Sequence, residues 1–245
     1  MQHHTDLTVD VLAVGAHPDD VEIGIGGFMS KLARHGLRTG ILDLTEGEMS
    51  TRGTVEERRQ EADDAACVLG AVRRENACLP DAGLANTTEF QRRVIPYIRS
   101  FRPRVLIAPM APDRHPDHAA AHELMRDANF FSGLARIDSD HPPHRTPVVY
   151  YYQVHGLMES PTFIADISDD FDTKLEALRA HRSQFHNPEY QGPATYISST
   201  AFWESIRNRA AWLGSRISAA YGEGLFALEP VAVNFPPGLE GSPCE

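Results

Sequence analysis

The chain has 245 residues, of which 42% are hydrophobic, and a formal net charge of −11 at pH 7. This length accommodates one large α/β domain or two small ones, and no apolar run approaches the ~20 residues that span a bilayer. Because the charge is strongly acidic and no block of Lys and Arg interrupts it, we expect neither nucleic acid nor an anionic membrane surface as a partner.

The first half of the chain alternates strand-like and helix-like segments. Strands covered on both faces are predicted at VDVLAVG, GILDLTEG and RVLIAPM, with a further short strand at ENACLP. Apolar residues at helical spacing predict a helix after the first strand and others at TVEERRQEADDAACVLG, at about 88–101 and at HPDHAAAHELMRDANFF. Strands that alternate with helices indicate βαβ units, so we predict an α/β fold with a mostly parallel sheet.

The second half is less regular. Strands are predicted at PVVYYYQVHG and TFIADIS, an amphipathic helix at DFDTKLEALRAHRSQF, and a last helix at about 200–221. No repeat, low-complexity tract or linker divides the chain. We therefore expect one domain over residues 1–245, with about 1–7 and 236–245 as loose termini.

The cysteines and the N-terminus point to the cytoplasm. The first residues lack the basic and apolar regions of a secretory signal. The three cysteines, Cys67, Cys78 and Cys244, are odd in number and form no CxxC pattern. This usage is typical of a reducing compartment, and we expect Cys67 and Cys78 to be small core residues.

Reactive side chains follow four of the predicted strands. In open α/β sheets, ligands bind just beyond the carboxyl ends of the strands. The first strand ends in AHPDD (16–20), the second in TEGEMSTRG, the third at Asp81 and the fourth in APDRHPDH (111–118). This concentration predicts a functional site at that edge of the sheet.

The AHPDD stretch has three candidate interpretations. A helix cap by Asp19 or Asp20 would use one carboxylate and leave His17 unexplained. A dinucleotide loop is disfavoured, because GxGxxG is absent and acidic residues at a helix N-terminus would repel a pyrophosphate. A metal site explains the histidine and the carboxylates together.

The HPDH stretch supplies the remaining metal ligand. A zincin-like pair of His118 and His122 is disfavoured, because HAAAH lacks the glutamate of HExxH, and His122 is expected to face the sheet or solvent. Combining the two stretches gives His17, Asp20 and His118, two nitrogens and one carboxylate. Catalytic zinc accepts this set and keeps a position open for water, and iron(II) accepts it as well.

The other members of the two motifs have the chemistry of proton transfer. Zinc lowers the pKa of a bound water toward ~7, so Asp19 beside the metal suffices as general base. His115, oriented by Asp117, would steady a developing oxyanion or donate a proton to a leaving amine. The residues alone therefore predict a metal-dependent hydrolase. A non-catalytic metal- or sugar-binding protein is less favoured, since binding needs no base.

AHPDD and HPDH at this separation resemble the LmbE/PIG-L superfamily of zinc-dependent N-acetylglucosamine deacetylases, over nearly the whole chain. The stretches TRGTVEERRQEADDAACVLG, HRSQF and YGEGLFALEPV resemble the branch that deacetylates N-acetylglucosaminyl-malate in bacillithiol biosynthesis. The resemblance implies a Rossmann-like three-layer sandwich, a homo-oligomer such as a hexamer, and a small acetylated amino sugar as substrate. It also implies zinc at His17, Asp20 and His118, with Asp19 as base and His115 and Asp117 assisting.

The resemblance also implies substrate contacts. Arg58 (with Glu61, in an RxxE pattern) and Asp81 fall where relatives hold the sugar, and Tyr196, or else Tyr190, falls near the oxyanion. The alternatives without a functional role are a solvated helix arginine for Arg58 and a half-buried core tyrosine for Tyr196.

Two classes of acetylated sugar are candidate substrates. Arg52 is predicted to meet the carboxylates of a malate group through a bidentate contact. Our first prediction is therefore deacetylation of N-acetylglucosaminyl-malate. The alternative is another acetylated sugar: free N-acetylglucosamine, a chitooligosaccharide or an antibiotic precursor.

Overall fold

A five-stranded parallel sheet forms the centre of the molecule. The computed structural model describes residues 8–155 and 160–231, so the predicted loose termini 1–7 and 236–245 lie outside the described residues. The strands have the spatial order β3-β2-β1-β4-β5, and all neighbours are parallel. They are β1 (Val11–Gly15), β2 (Thr39–Thr45), β3 (Arg73–Leu79), β4 (Val105–Pro109) and β5 (Val148–Tyr152).

Six helices and an antiparallel ribbon complete the described structure. The helices are α1 (Asp20–Arg34), α2 (Val55–Leu69), α3 (Thr88–Phe101), α4 (Pro116–Ser132), α5 (Phe171–Ala180) and α6 (Thr200–Ser215); the ribbon pairs β6 (Phe163–Asp166) with β7 (Gly222–Leu225). Within the described ranges, no helix is long and apolar enough to cross a membrane.

Helices cover both faces of the sheet. Side chains of β1 alternate between two apolar clusters: Val11 and Ala13 belong to the cluster that contains α1, α2, α5 and α6 side chains, whereas Leu12 and Val14 belong to the one with α3 and α4. Every residue of β1 is buried, as its continuous apolar run predicts. The predicted three-layer α/β architecture is confirmed.

The strand predicted at TFIADIS is β6, which pairs with β7 in the separate ribbon. The predicted ends of two helices were wrong. The helix α5 ends at Ala180 instead of Phe185, because the amide of Ser183 donates to the buried carboxylate of Glu61 from α2. The last helix ends at Ser215.

Both cysteines that were expected in the core are exposed. Cys67 lies on the outward face of α2. Cys78 has a left-handed backbone (φ 49°) near the end of β3. The hydrophobic clusters are filled by Val, Ile, Leu and aromatic side chains instead.

The sheet topology brings the two motif loops together. The strand β1 pairs with β2 on one side and with β4 on the other. The chain runs outward from β1 to β3 and then returns to β4, so the order reverses between β1 and β4. Loops that leave neighbouring parallel strands at such a switch point form a crevice in which ligands bind.

Candidate metal-dependent active site

The loop after β1 is tight and strained. A side chain at Gly15 would collide with the carbonyl oxygen of His17, so only glycine fits there. Asp19 has φ 146°, and its side chain forms no cap hydrogen bond with α1. A helix cap therefore does not explain Asp19, and its strained backbone is typical of a functional position.

The predicted metal ligands converge in space. The carboxylate of Asp20 lies between two imidazoles, with Oδ2 3.4 Å from Nδ1 of His17 and Oδ1 3.2 Å from Nε2 of His118. Ring nitrogens of His17, His115 and His118 also lie within 4.8 Å of one another. Imidazole nitrogens and a carboxylate at this spacing are a donor set that fits zinc or iron(II).

The electrostatics of this cluster favour positive charge. Burial lowers the pKa of His17, but hydrogen bonds to Asp117, Asp20 and Asp81 outweigh it and hold that pKa well above 6.5. Burial likewise opposes the charged form of His118, yet the attraction of Asp20 and further hydrogen bonds raise its pKa to about 9. Carboxylates that stabilise a cation so strongly also suit a divalent metal ion.

Asp19 lies beside this cluster as a separate carboxylate. Burial raises its pKa to about 6, against the opposing charge of Arg58. Nη2 of Arg58 lies 3.4 Å from Oδ2 of Asp19 and donates to the carbonyl of Pro18 (2.9 Å), while Nη1 donates to that of Gly47 (3.0 Å). Arg58 is 4% exposed, so the alternative of a solvated helix arginine is wrong. A buried carboxylate whose pKa is raised in this way suits a general base.

His115 is held by the backbone of Asp117 and not by its carboxylate. Nδ1 of His115 accepts a hydrogen bond from the Asp117 amide (3.2 Å), so the neutral ring carries its proton on Nε2. The Asp117 carboxylate instead accepts from the amide of Ala82 (2.8 Å) and lies 3.4 Å from Nε2 of His17. Asp117 therefore orients His115 as predicted, but through its backbone amide and not through its carboxylate.

Asp113 is a member of the site that the motif analysis missed. Its Oδ1 lies 3.0 Å from Nδ1 of His118 and accepts from the amide of His115 (2.9 Å). Its Oδ2 accepts from the amide of His155 (3.1 Å), whose ring stacks on His118. The signal in the sequence was the acidic residue of APDR, directly before HPDH. Partners of this kind fix the orientation of a metal-binding imidazole.

A cavity of about 350 Å³ opens onto these side chains. Asp81 reaches it as a hydrogen-bond acceptor from the amides of Met49 (3.0 Å) and Ala82 (2.7 Å), with Oδ1 3.1 Å from Nε2 of His17. Tyr196 is 57% exposed at the cavity, so the half-buried core alternative is wrong. The predicted residues in the lining are His17, Asp19, Asp20, Arg58, Asp81, His115, His118 and Tyr196.

Arg52 and Tyr190 lie outside this lining. Arg52 is buried, donates from Nε to the carbonyl of Ser183 and from Nη1 to that of Pro193 (2.8 Å), and stacks over the ring of Tyr190. The Tyr190 hydroxyl accepts from the amide of Gly53 (3.0 Å). Both side chains connect the loop after β2 to the segment after α5, and the predicted contact of Arg52 with substrate does not agree with this geometry.

Known proteins resemble this chain in sequence and in fold. Residues 12–129 match the family model PIG-L, described as GlcNAc-PI de-N-acetylase. The diacetylchitobiose deacetylase of Thermococcus kodakarensis is 30% identical over 231 residues, which cover 88% of this chain and 81% of that protein. The chain belongs to the PIG-L deacetylase family. It is accordingly an N-deacetylase, as predicted.

Two further relatives extend the comparison. The conserved protein TT1542 from Thermus thermophilus superimposes with a TM-score of 0.83 and 35% identity, covering 92% of this chain and 97% of that one. A probable N-acetyl-α-D-glucosaminyl L-malate deacetylase 2 of Bacillus cereus is 28% identical over 196 residues, 71% of this chain and 83% of that protein. The relatives of this PIG-L deacetylase thus include proteins named for each of the two predicted substrate types.

Proposed function

We propose that this PIG-L deacetylase hydrolyses the acetamide of an N-acetylglucosamine unit in an uncharged chitooligosaccharide, with diacetylchitobiose as the simplest example. The observation that carries the proposal is the buried carboxylate of Asp19, held 3.4 Å from Arg58 and next to the His17–Asp20–His118 donor set. That pairing is what hydrolysis of an unreactive amide requires.

The predicted ligands His17, Asp20 and His118 would hold the metal ion, zinc or iron(II). When bound, the ion supplies Lewis-acid polarisation of the acetamide carbonyl and acidifies water. Asp113 holds the His118 ring through Nδ1 at 3.0 Å, which leaves Nε2 as the nitrogen that would bind the ion.

The remaining steps belong to the chain's own side chains. Asp19 takes the proton of the attacking water, and Arg58 keeps the Asp19 carboxylate in place through the contact at 3.4 Å. His115, with its proton on Nε2, donates to the oxyanion as the tetrahedral carbon forms. The proton that Asp19 took then passes to the glucosamine nitrogen as its bond to the acetyl carbon breaks, which releases acetate and the free amine and restores the base. Asp81 accepts a hydrogen bond from a sugar hydroxyl.

The charge of the site favours an uncharged sugar. Five carboxylates surround the reacting position, namely those of Asp19, Asp20, Asp81, Asp113 and Asp117. A divalent ion, Arg58 and Arg114 supply four positive charges against these five, so a net negative charge remains that would repel the two carboxylates of malate. Arg52, which was predicted to bind malate, donates to two backbone carbonyls instead.

N-acetylglucosaminyl-malate is the second candidate. The likeness to the Bacillus cereus protein supports it. Arg114 supports it as well, because this guanidinium lines the cavity and stacks on Tyr196 at 4.1 Å, where it could meet one malate carboxylate. A cytoplasmic homo-oligomer, such as a hexamer, is part of the same proposal, and light scattering after gel filtration measures its mass.

Amine release from three sugars tests the proposal. Metal-loaded protein is assayed with diacetylchitobiose, free N-acetylglucosamine and the malate conjugate, and a chelator should abolish turnover until metal is restored. We expect Asp19→Asn to lower kcat by about 10²- to 10⁴-fold with the metal content unchanged. Asp63→Asn, an exposed carboxylate of α2, is the control. A normal kcat in Asp19→Asn would refute the assignment of Asp19 as general base. The absence of amine release from all three sugars would refute the proposed deacetylase function.

A further inference from the structure

A second cavity adjoins the catalytic cavity. Both have a volume of about 350 Å³, and Ile23, His155 and Tyr196 line both of them. The second one, called here the α6 cavity, is lined by Ile23, Val154, His155, Tyr196, Phe202, Ser205, Ile206, Arg209 and Trp212. A ligand that fills the catalytic cavity therefore meets the α6 cavity directly across these shared side chains.

Aromatic side chains dominate this lining. Tyr196 and Trp212 are 57% and 50% exposed, so both rings are accessible to a ligand that enters this cavity. Phe202 is buried beside Tyr196, with the two ring centroids 5.2 Å apart. The C–H faces of a pyranose ring are apolar and pack against aromatic rings, so these side chains form a platform suited to a sugar.

Arg209 adds hydrogen-bond donors to this platform. Its Nη1 donates to the carbonyl of Val154 (2.6 Å) and its Nη2 to that of Ile23 (2.7 Å). These bonds use two of the five N–H groups of a guanidinium. In the part of the chain that the structure describes, no carboxylate lies within 4.0 Å of Arg209. The remaining donors suit the hydroxyl and carbonyl oxygens of a sugar.

We propose that the α6 cavity binds the second pyranose ring of the substrate while the first N-acetylglucosamine unit occupies the catalytic cavity. This inference rests on the proposed function and deepens it, because it selects a disaccharide over a malate conjugate. A small dianion would find a single cation, Arg209, in a lining that is otherwise mostly apolar. A neutral ring gains from both the aromatic platform and the guanidinium.

Kinetics with two substrates test the assignment. Trp212→Ala removes half of the platform, and Ser205→Phe fills the cavity from an exposed position. We expect either change to lower kcat/KM for diacetylchitobiose about fivefold to tenfold, the scale of one aromatic contact, and to leave kcat/KM for N-acetylglucosamine within about twofold. Trp203→Ala is the matched control, because Trp203 lies on the same helix but lines a different cavity.

Fluorescence tests binding without catalysis. The chain contains two tryptophans, so Trp203→Phe leaves Trp212 as the sole reporter. We expect diacetylchitobiose to change its emission saturably at concentrations where N-acetylglucosamine does not. In the converse variant, Trp212→Phe, the emission of Trp203 should not respond.

The outcomes separate the two proposals. If the enzyme deacetylates both sugars but the ratio of their kcat/KM values is the same in Trp212→Ala, Ser205→Phe and wild type, the α6 cavity is not a subsite. If the malate conjugate changes Trp212 emission and the disaccharide does not, the ring assignment is overturned in favour of an anion at Arg209. If disaccharide changes the emission but no sugar is deacetylated, the proposed function fails and the binding site stands.

Discussion

A buried arginine of β3 stabilises the structure beneath the active site. Arg74 donates from Nε and Nη2 to both oxygens of Asp43 on β2 (2.7 and 3.0 Å) and from Nη1 to Glu22 on α1 (2.5 Å). All three side chains are almost fully buried. We predict that Arg74→Met, which keeps much of the volume and removes the charge, strongly destabilises the protein.

The pKa of Glu22 indicates how much free energy of unfolding the Arg74→Met protein would lose. Burial alone would raise it, but the attraction of Arg74, with a further contribution from His181, lowers it from 4.5 to about 2. A change of this size in a pKa corresponds to roughly 3 kcal/mol of interaction. Loss of one partner of a buried ion pair costs about 3–5 kcal/mol, so we expect a loss in that range at neutral pH. Arg74 attracts the Asp43 carboxylate as well, although burial outweighs that attraction and leaves the Asp43 pKa raised, so the figure taken from Glu22 alone is a minimum.

Urea unfolding at fixed metal concentration measures the effect. The pKa of Glu22 is depressed in the folded state, so its contribution is complete above pH ~4.5 and is lost as the pH falls toward ~2. The difference between wild type and Arg74→Met should therefore shrink in that range. Glu22→Gln should partly rescue Arg74→Met, because it removes the unpaired charge. A loss below about 1 kcal/mol, or no rescue by Glu22→Gln, would refute the reasoning.

Two further substitutions test how the site is supported. In Gly47→Ala, the new Cβ would overlap the Arg58 guanidinium, and the backbone has φ +66°. We therefore expect kcat to fall at least about tenfold while circular dichroism shows a folded protein. A wild-type kcat would mean that Arg58 does not hold Asp19 in place. In Asp113→Asn, His118 loses its charged partner at 3.0 Å. We expect metal affinity to fall about 10- to 100-fold in a competition titration with a chelator. An unchanged affinity would mean that Asp113 only stabilises the loop and does not support metal binding.

The parts of the structure that were predicted from the sequence depend on local patterns. The continuous apolar run of β1 indicates a strand buried on both faces, and all its residues are buried. The two motifs directly follow β1 and β4, so the rule for parallel sheets brings His17 and His118 together without any knowledge of side-chain packing.

The parts that were missed depend on contacts between distant segments. Arg52 follows a strand, as a substrate ligand would, yet its acceptors are carbonyls of Ser183 and Pro193 in the segment after α5. Glu61 likewise ends α5 early by accepting from Ser183. No periodicity or motif encodes which carbonyl a buried guanidinium will reach, because that depends on the packed arrangement of α2 against α5.

The active site and the stability of the surrounding fold depend on the same charges. A buried carboxylate is costly unless a cation faces it. The charge of Asp19 is compensated by Arg58, whose Nη2 lies 3.4 Å from Oδ2 of Asp19. Asp20 has the imidazoles of His17 and His118, which compensate its charge when they carry a proton and whose pKa values are accordingly raised. A divalent ion between the same three side chains would provide that compensation while leaving both rings neutral. Because the fold already needs positive charge at this point, a metal ion held there would stabilise the start of α1 as well as supply the chemistry.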